Sequence, residues 1–392
     1  KGARREGKTA WDVAEQYIAI ADHEAYEVLK LVRPDHLVRA TDYIQQQINF
    51  AKGLDEKGFL YKIDGDGMYF DTSRLADYGK LARLDVAGLE AGARVSVAGK
   101  RNITDFAVWK FSPTNTKRDM EWDSPWGVGF PGWHLECSTI ARETLGDSID
   151  IHTGGIDHIP VHHTNEIAQS ESLTGQQFSQ IWLHNNHIKV DSRKMSKSLG
   201  NIITLTDITA RGFSPMAFKL AILSKHYQTE GNFTWDILEA AQARLDHWRG
   251  YAALRHQTHD TLDDDDEKDE QEGTVSLLAA RQALVEKLND NLDTPGALAL
   301  IDEAFSRLDH APLEKIHRGG LLQLIEIIDE VLGLDLAEST PDINDDLKRL
   351  IIQRRSARAE KDWQESDRIR DELLAAGVTI RDTPSGSVWA WK

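Results

Sequence analysis

The stretch IDIHTGGIDHIPVHHTNEIAQSESLTGQQFSQIWLHN, residues 149–185, decides the fold class. A strand pattern begins near Ile149, a helical pattern near Asn165 and a second strand near Ile181, with another helical pattern before them near Trp133. Parallel strands need a long crossover, and a helix supplies it. This alternation therefore predicts a parallel α/β sheet.

Toward the N-terminus, residues 9–32 and 36–53 carry apolar residues at helical spacing: Ala14, Tyr17, Ile18 and Ile20, then Leu37, Ile44, Ile48 and Phe50. From Gly58 to Lys110 the pattern shortens into strands. Phe59 to Ile63, a turn at Asp64-Gly65-Asp66-Gly67 and Met68 to Phe70 read as a hairpin. A calcium loop starting at Asp64 would need a glutamate where Leu75 stands, so the aspartates read as a plain turn. Residues 111–131 form a loop rich in Pro, Trp and Gly. Toward the C-terminus the pattern is helical from Phe213 to about residue 335, interrupted by the acidic stretch 260–273, which reads as a solvated linker. A last module, 343–392, has a basic amphipathic helix and two short strands, Val378-Thr379-Ile380 and Val388-Trp389-Ala390.

Size and composition narrow the field. A chain of 392 residues, 40% hydrophobic with eleven tryptophans, builds several cores rather than one. No apolar run is long enough to cross a bilayer, and the basic N-terminus leads into an amphipathic stretch rather than a signal core. Cys137 is the sole cysteine, which excludes an intrachain disulfide and suits a cytoplasmic location. The net charge of −18 excludes a general nucleic-acid coat, yet a basic face can still bind RNA. A G-x-S-x-G string is missing.

Two constellations carry chemistry. His162 and Glu166 are one helical turn apart, and Cys137 sits near the start of another helix, where the dipole favours a thiolate. Thiolate, imidazole and carboxylate together suit zinc with a position left open. Spacing alone leaves the bland alternative standing: a core cysteine and a surface His-Glu pair, since the gap from Cys137 to His162 matches no compact zinc finger. The second is Lys194-Met195-Ser196-Lys197-Ser198, followed by Leu199-Gly200-Asn201. Two lysines three apart with hydroxyls between them can bind phosphates and stabilise a leaving pyrophosphate, although an exposed basic loop is the commoner meaning of lysine pairs.

The five-residue string 194–198 resembles the second signature of class I aminoacyl-tRNA synthetases. Gly132 to Ser138, His152 to Asp157 and His162 to Glu166 are similar to the cysteine-specific members. Arg39 to Ile44, Asp77 to Leu81, Trp122 to Gly127 and Asp293-Thr294-Pro295 fit the same family. The resemblance runs the length of the chain. It implies a class I Rossmann-type nucleotide-binding domain, split into 1–40 and 129–186 by an inserted α/β connective domain at 41–128. A lysine-loop and stem-contact region at 187–257, an acidic linker at 258–274, a helical bundle at 275–340 and a small α/β anticodon-binding module at 341–392 follow.

It further implies that Cys137, His162 and Glu166 hold one Zn2+ that binds the thiolate of substrate L-cysteine, with Trp133 and His152 lining the pocket. Lys197 would contact ATP, entering with Mg2+, and Lys194 would help hold the loop. In the family the last module reads tRNA(Cys), which assigns Arg358, Trp363, Asp367 and Asp382 to the anticodon. Lys348, Arg349, Arg354, Arg355, Arg358 and Lys361 supply basic charge there, with Trp363 free to stack on a base. A monomer is expected, with no membrane partner.

The chain departs from the family at its start. A His-Ile-Gly-His type signature and the family's further cysteine, a fourth zinc ligand, do not occur in it. The expectation is a polypeptide that begins inside its nucleotide-binding domain and by itself has little aminoacylation activity. Two other readings compete: a ligase joining cysteine to an amino-sugar, for which a basic RNA module has no use, and a non-catalytic relic binding RNA and zinc, for which the lysine string has none.

Overall fold

The computed structural model describes residues 7–83, 99–115, 117–258, 275–383 and 386–392, which fall into two compact units. The acidic stretch 260–273 and the basic residues 1–5 lie outside the described residues.

The first unit comprises the chain up to Tyr26 and Val32–His187. Helix α1, Ala10–Asp22, starts at a capping box in which Thr9 and Asp12 satisfy each other's backbone amides. It is followed by the wide turn His23–Val28. The apolar stripe expected to run to residue 32 ends earlier, and none of α1 is buried. Helix α2, Ile44–Glu56, begins later than expected: Leu37 precedes the helix and is exposed, while Ile48, Phe50 and Leu54 are core.

The predicted hairpin is present as β1, Leu60–Ile63, and β2, Gly67–Phe70. Strands β3, Phe106–Phe111, and β4, Gly129–Pro131, complete an antiparallel sheet in the order β1-β2-β3-β4. Its strands are buried on both faces. Phe70 and Phe106 stack at 5.1 Å on the side facing Phe50, Leu54 and Leu135, while Tyr61, Ile63 and Tyr69 form a second cluster. Asp105, almost wholly buried, ties the sheet's loops together. Its carboxylate accepts from the Thr72 amide at 2.9 Å and hydroxyl at 2.8 Å, from the Tyr61 hydroxyl at 2.7 Å and from the Asn102 amide at 2.9 Å.

Helix α3, Trp133–Leu145, leaves the sheet at Gly132, where a Cβ would lie 2.1 Å from the Ala107 carbonyl oxygen. Only glycine lets the helix start so close to β3. Strand β5, Ile149–Gly155, helix α4, Thr164–Thr174, and strand β6, Ser179–Asn185, then form the predicted unit. The strands pair in parallel, with Ile151 opposite Ile181. Both isoleucines are exposed, and this parallel sheet has two strands among the described residues.

The second unit comprises Glu27–Leu31 and Ile188–Lys392. Strands β7, Ile188–Val190, and β8, Gly231–Phe233, pair in parallel, so the run after Phe213 is not wholly helical as expected. Helices α5, Leu205–Ala210, α6, Pro215–Leu223, and α7, Trp235–Ala253, lead into α8, Leu278–Asn289, α9, Thr294–Ser306, and α10, Arg318–Leu332. Their shared core includes Leu220, Leu245, Trp248, Phe305, Leu324 and Ile328. The Asp293-Thr294-Pro295 string is a helix start: the Asp293 carboxylate accepts from the Gly296 amide at 2.9 Å, and Pro295 opens the first turn, where its missing N–H costs nothing.

The last module packs α11, Asp345–Ala359, and α12, Trp363–Ala375, on the hairpin of β9, Val378–Thr383, and β10, Gly386–Trp391. Ile343, Ile369, Leu373, Val378 and Trp389 form its core.

Asp105→Ala strands several buried donors at once, each costing about 1–3 kcal/mol when left unmet. Urea denaturation followed by tryptophan fluorescence is expected to show a loss of about 3 kcal/mol from the first unit's transition, with the second unit's transition unchanged.

Candidate functional site

Three elements of the first unit converge on one carboxylate. Helix α3 carries Trp133, His134 and Cys137; β5 carries His152; the wide turn Ile159–His163 and the start of α4 carry His162, His163 and Glu166. Gly154 makes the approach possible. A Cβ there would lie 2.6 Å from the His163 ring and 2.9 Å from the His158 ring.

Ligand atoms of Cys137, His162 and Glu166 lie within 4.8 Å of one another, and so do those of His152, His163 and Glu166. Glu166 has no exposed surface. Its Oε2 is 3.0 Å from His152 Nε2, 3.6 Å from His162 Nε2 and 3.8 Å from His163 Nε2. Its Oε1 is buried without a hydrogen-bond partner among the described residues. Further out, His134 Nδ1 meets His162 Nδ1 at 3.1 Å, and His163 Nδ1 meets His184 Nε2 at 2.8 Å. The Trp133 ring lies 4.2 Å from that of His162 and is 57% exposed, and Trp182 packs on His152.

Electrostatics follow from burial. The His163 imidazole is pushed down to about 3 by burial, with the surrounding histidines adding to it, and burial also lowers His162 against the pull of Glu166. Both are neutral, as metal ligation requires. Cys137 corrects the sequence reading. It lies beyond the first turn of α3, past the reach of the helix dipole, and burial followed by Glu166 and Glu136 pushes its thiol up to about 12. A thiolate here depends on a nearby cation. A buried, half-satisfied carboxylate beside a sulfur and an imidazole fits zinc by donor set and by charge.

In the second unit, Lys194 and Lys197 stand on an exposed loop after β7. Asn201 pins it: its Oδ1 accepts from the Ser196 amide at 2.9 Å and its Nδ2 donates to the Lys194 carbonyl at 3.1 Å. Among the described residues neither lysine makes an ion pair, so both ammonium groups point to solvent free of carboxylates.

In the last module, Arg358, Trp363 and Asp382 come together. The Arg358 guanidinium is 3.0 Å from Asp382 Oδ2 and lies 5.7 Å over the Trp363 ring. Trp363 is exposed, and Asp367 stands one turn further along α12, exposed and 3.3 Å from Arg370. Asp382 differs from a free base acceptor. Arg354, counted from sequence among the residues that supply basic charge for RNA, is buried and holds both oxygens of Asp382 at 3.0 and 2.9 Å, and the Ser387 hydroxyl donates to that carboxylate at 2.6 Å. Lys361 lies past the end of the basic helix.

Sequence reasoning missed His134, His163 and His184 as site components and gave Arg354 to the RNA surface, where the structure buries it. The run His158, His162, His163 was a signal for the second. His184 comes from another strand, and only tertiary structure brings it in.

Comparison with known proteins places the chain in a family. Residues 1–243 match the family described as tRNA synthetases class I (C) catalytic domain, and residues 340–389 the cysteinyl-tRNA ligase anticodon binding domain. Cysteine--tRNA ligase 1 of Burkholderia lata is 44% identical over 98% of this chain and 78% of its own length. The chain belongs to the cysteinyl-tRNA synthetase family. A second member, cysteine--tRNA ligase of Anoxybacillus flavithermus, is 38% identical over 99% of this chain and 83% of its own. Beyond the family, methionyl-tRNA synthetase of Mycobacterium tuberculosis, solved with methionyl-adenylate, shares the fold: TM-score 0.58, 15% identity, over 86% of this chain and 82% of that one. Among the described residues no helix is long and apolar enough to cross a membrane.

The Asp382 carboxyl is held well below the usual carboxylate range, first by the Arg354 hydrogen bond and then by Ser387 and Arg358, against its partial burial. A carboxyl lowered on folding adds stability above its unfolded value, near 3.9, and loses it as pH falls through the folded value. Thermal melts are therefore expected to show Asp382→Asn less stable than wild type at about pH 6, with the gap closing toward about pH 2.

Proposed function

We propose that this chain carries the amino-acid, phosphate and tRNA contacts for activating L-cysteine with ATP and transferring it to tRNA(Cys), with the amino acid selected through a zinc ion held by Cys137, His162 and Glu166. The observation that carries this is the Glu166 carboxylate, wholly buried with Oε1 unpartnered, beside a thiol and a neutral imidazole. When bound, Zn2+ supplies a soft Lewis acid that prefers a substrate thiolate to a serine hydroxyl, so discrimination needs no editing site.

The protein's own groups do the rest by placement. Trp133 and His152 wall the amino-acid pocket, and Glu166 holds His152 in place through their 3.0 Å contact. Lys197, supported by Lys194, binds the phosphates of ATP, which enters with Mg2+. A carboxylate oxygen of cysteine bonds to the α-phosphorus, and the bond from that phosphorus to the bridging oxygen breaks, with its electron pair leaving on pyrophosphate. Two lysines without carboxylate partners are suited to that developing charge. The terminal ribose hydroxyl of the tRNA then attacks the cysteinyl carbonyl and AMP leaves. Arg358, Trp363 and Asp367 meet the anticodon bases, and Asp382 acts through Arg358. An exposed Trp beside a guanidinium is a stacking platform for a base. An amino-sugar acceptor gives that face no role, which favours tRNA over the small-molecule ligase reading.

Elemental analysis of the purified chain is expected to find about one zinc per polypeptide, and Glu166→Gln or Cys137→Ala to lower it sharply without unfolding the first unit. Titration calorimetry should detect L-cysteine and no L-serine binding in the zinc-loaded form. Metal-free wild type, or equal affinity for both amino acids, would sink the assignment.

Trp363→Ala removes a stacking surface worth about 1–3 kcal/mol, so filter binding should show tRNA(Cys) affinity falling roughly tenfold. Zinc content should stay the same. An unchanged RNA affinity would remove Trp363 from the interface.

A further inference from the structure

Three consecutive side chains just past α7 hold the last module and the segment that leads into it. All the groups involved belong to the second unit. Arg255, almost wholly buried, donates to the Ala337 carbonyl at 2.8 Å, the Thr340 carbonyl at 2.8 Å and the Thr340 hydroxyl at 2.6 Å, fixing the segment that joins α10 to α11. His256 meets the Thr340 carbonyl through Nε2 at 3.1 Å, and its ring stacks on Trp389. Gln257 completes the set. Its Oε1 accepts from the Trp389 amide at 2.9 Å and its Nε2 donates to the Trp389 carbonyl at 3.1 Å.

The Gln257 contact has the form of a strand pairing. A primary amide presents one acceptor and one donor, as a backbone residue does, and here both engage one residue of the outer edge of β10. The amide is buried, so neither bond is exchanged cheaply for water. From that point the hairpin register leads straight to the base-contacting face. Trp389 pairs with Ile380, Ser387 pairs with Asp382, and Asp382 holds Arg358 over Trp363.

We infer that Arg255, His256 and Gln257 form a latch that fixes the base-reading face at a set position on the helical bundle, with Gln257 as its positioning residue. This rests on the RNA reading given above and extends it. Two contacts to one tRNA reinforce each other only when the protein holds them at the right separation. A latched module keeps that separation. Released, it still recognises anticodon bases but no longer presents them in register with the remainder of the bound tRNA.

The test compares two RNAs on the full chain: a tRNA(Cys) transcript and its isolated anticodon stem-loop. Wild type is expected to bind the transcript more tightly. Gln257→Ala should weaken the transcript roughly tenfold and leave the stem-loop within about twofold, because the stem-loop needs the module alone. Gln257→Glu sets a buried carboxylate oxygen against the Trp389 carbonyl, and should weaken the transcript at least as much as Gln257→Ala with the stem-loop again spared. Hydrogen exchange at the Trp389 amide should speed up in Gln257→Ala while α11 and α12 stay protected, which separates unlatching from unfolding. An unchanged transcript affinity, or equal weakening of both RNAs, overturns the latch and leaves the RNA reading intact. Wild type that binds neither RNA overturns both.

Discussion

A carboxylate with no exposed surface and one oxygen unpaired is the constraint around which the first unit is arranged. Leaving water costs an ion several kcal/mol unless partners compensate it. Glu166 has three imidazoles within 4 Å of one oxygen, and burial holds two of them, His162 and His163, toward their neutral forms. Neutral rings offer lone pairs or weak donors, not a full countercharge. A divalent cation would supply what they lack, and beside one the raised Cys137 thiol would serve as a ligand.

The surroundings serve that carboxylate. Gly132 lets α3 leave the antiparallel sheet close to β3, and Gly154 lets the histidine-bearing turn lie on β5. The Ser138 hydroxyl donates to Gln169 Oε1 at 2.9 Å inside the α3–α4 contact, fixing the helix that carries Cys137 against the one that carries Glu166. Each is a small feature. Their sum is a cluster of polar groups held in fixed positions around Glu166.

The second unit solves a different problem with the same means. Its last module has a small core and a surface dense in charge, so its orientation relies on directional bonds more than on apolar area. The buried Arg354 guanidinium holds the surface carboxylate of Asp382, which in turn orients Arg358. The 255–257 segment ties the outer hairpin edge to the bundle. Polar groups buried in this way contribute position more than net stability.

Much of this was legible in the residues. Alternation of strand and helix over 133–185, the hairpin around Asp64, the last two strands and the pairing of His162 with Glu166 are local patterns, and local patterns are what periodicity reports. The first helix shows the limit: apolar spacing continued to residue 32, but the regular helix stops at Asp22 and buries nothing. By itself the sequence determined the fold class, the family and the donor types. Tertiary structure alone decided that burial and two carboxylates raise the Cys137 thiol, that Arg354 is buried and Asp382 occupied, that His184 joins the site, and that Gln257 reaches Trp389. Each of these depends on which distant groups share a low-dielectric space, and proximity of that kind is written in no single stretch of chain.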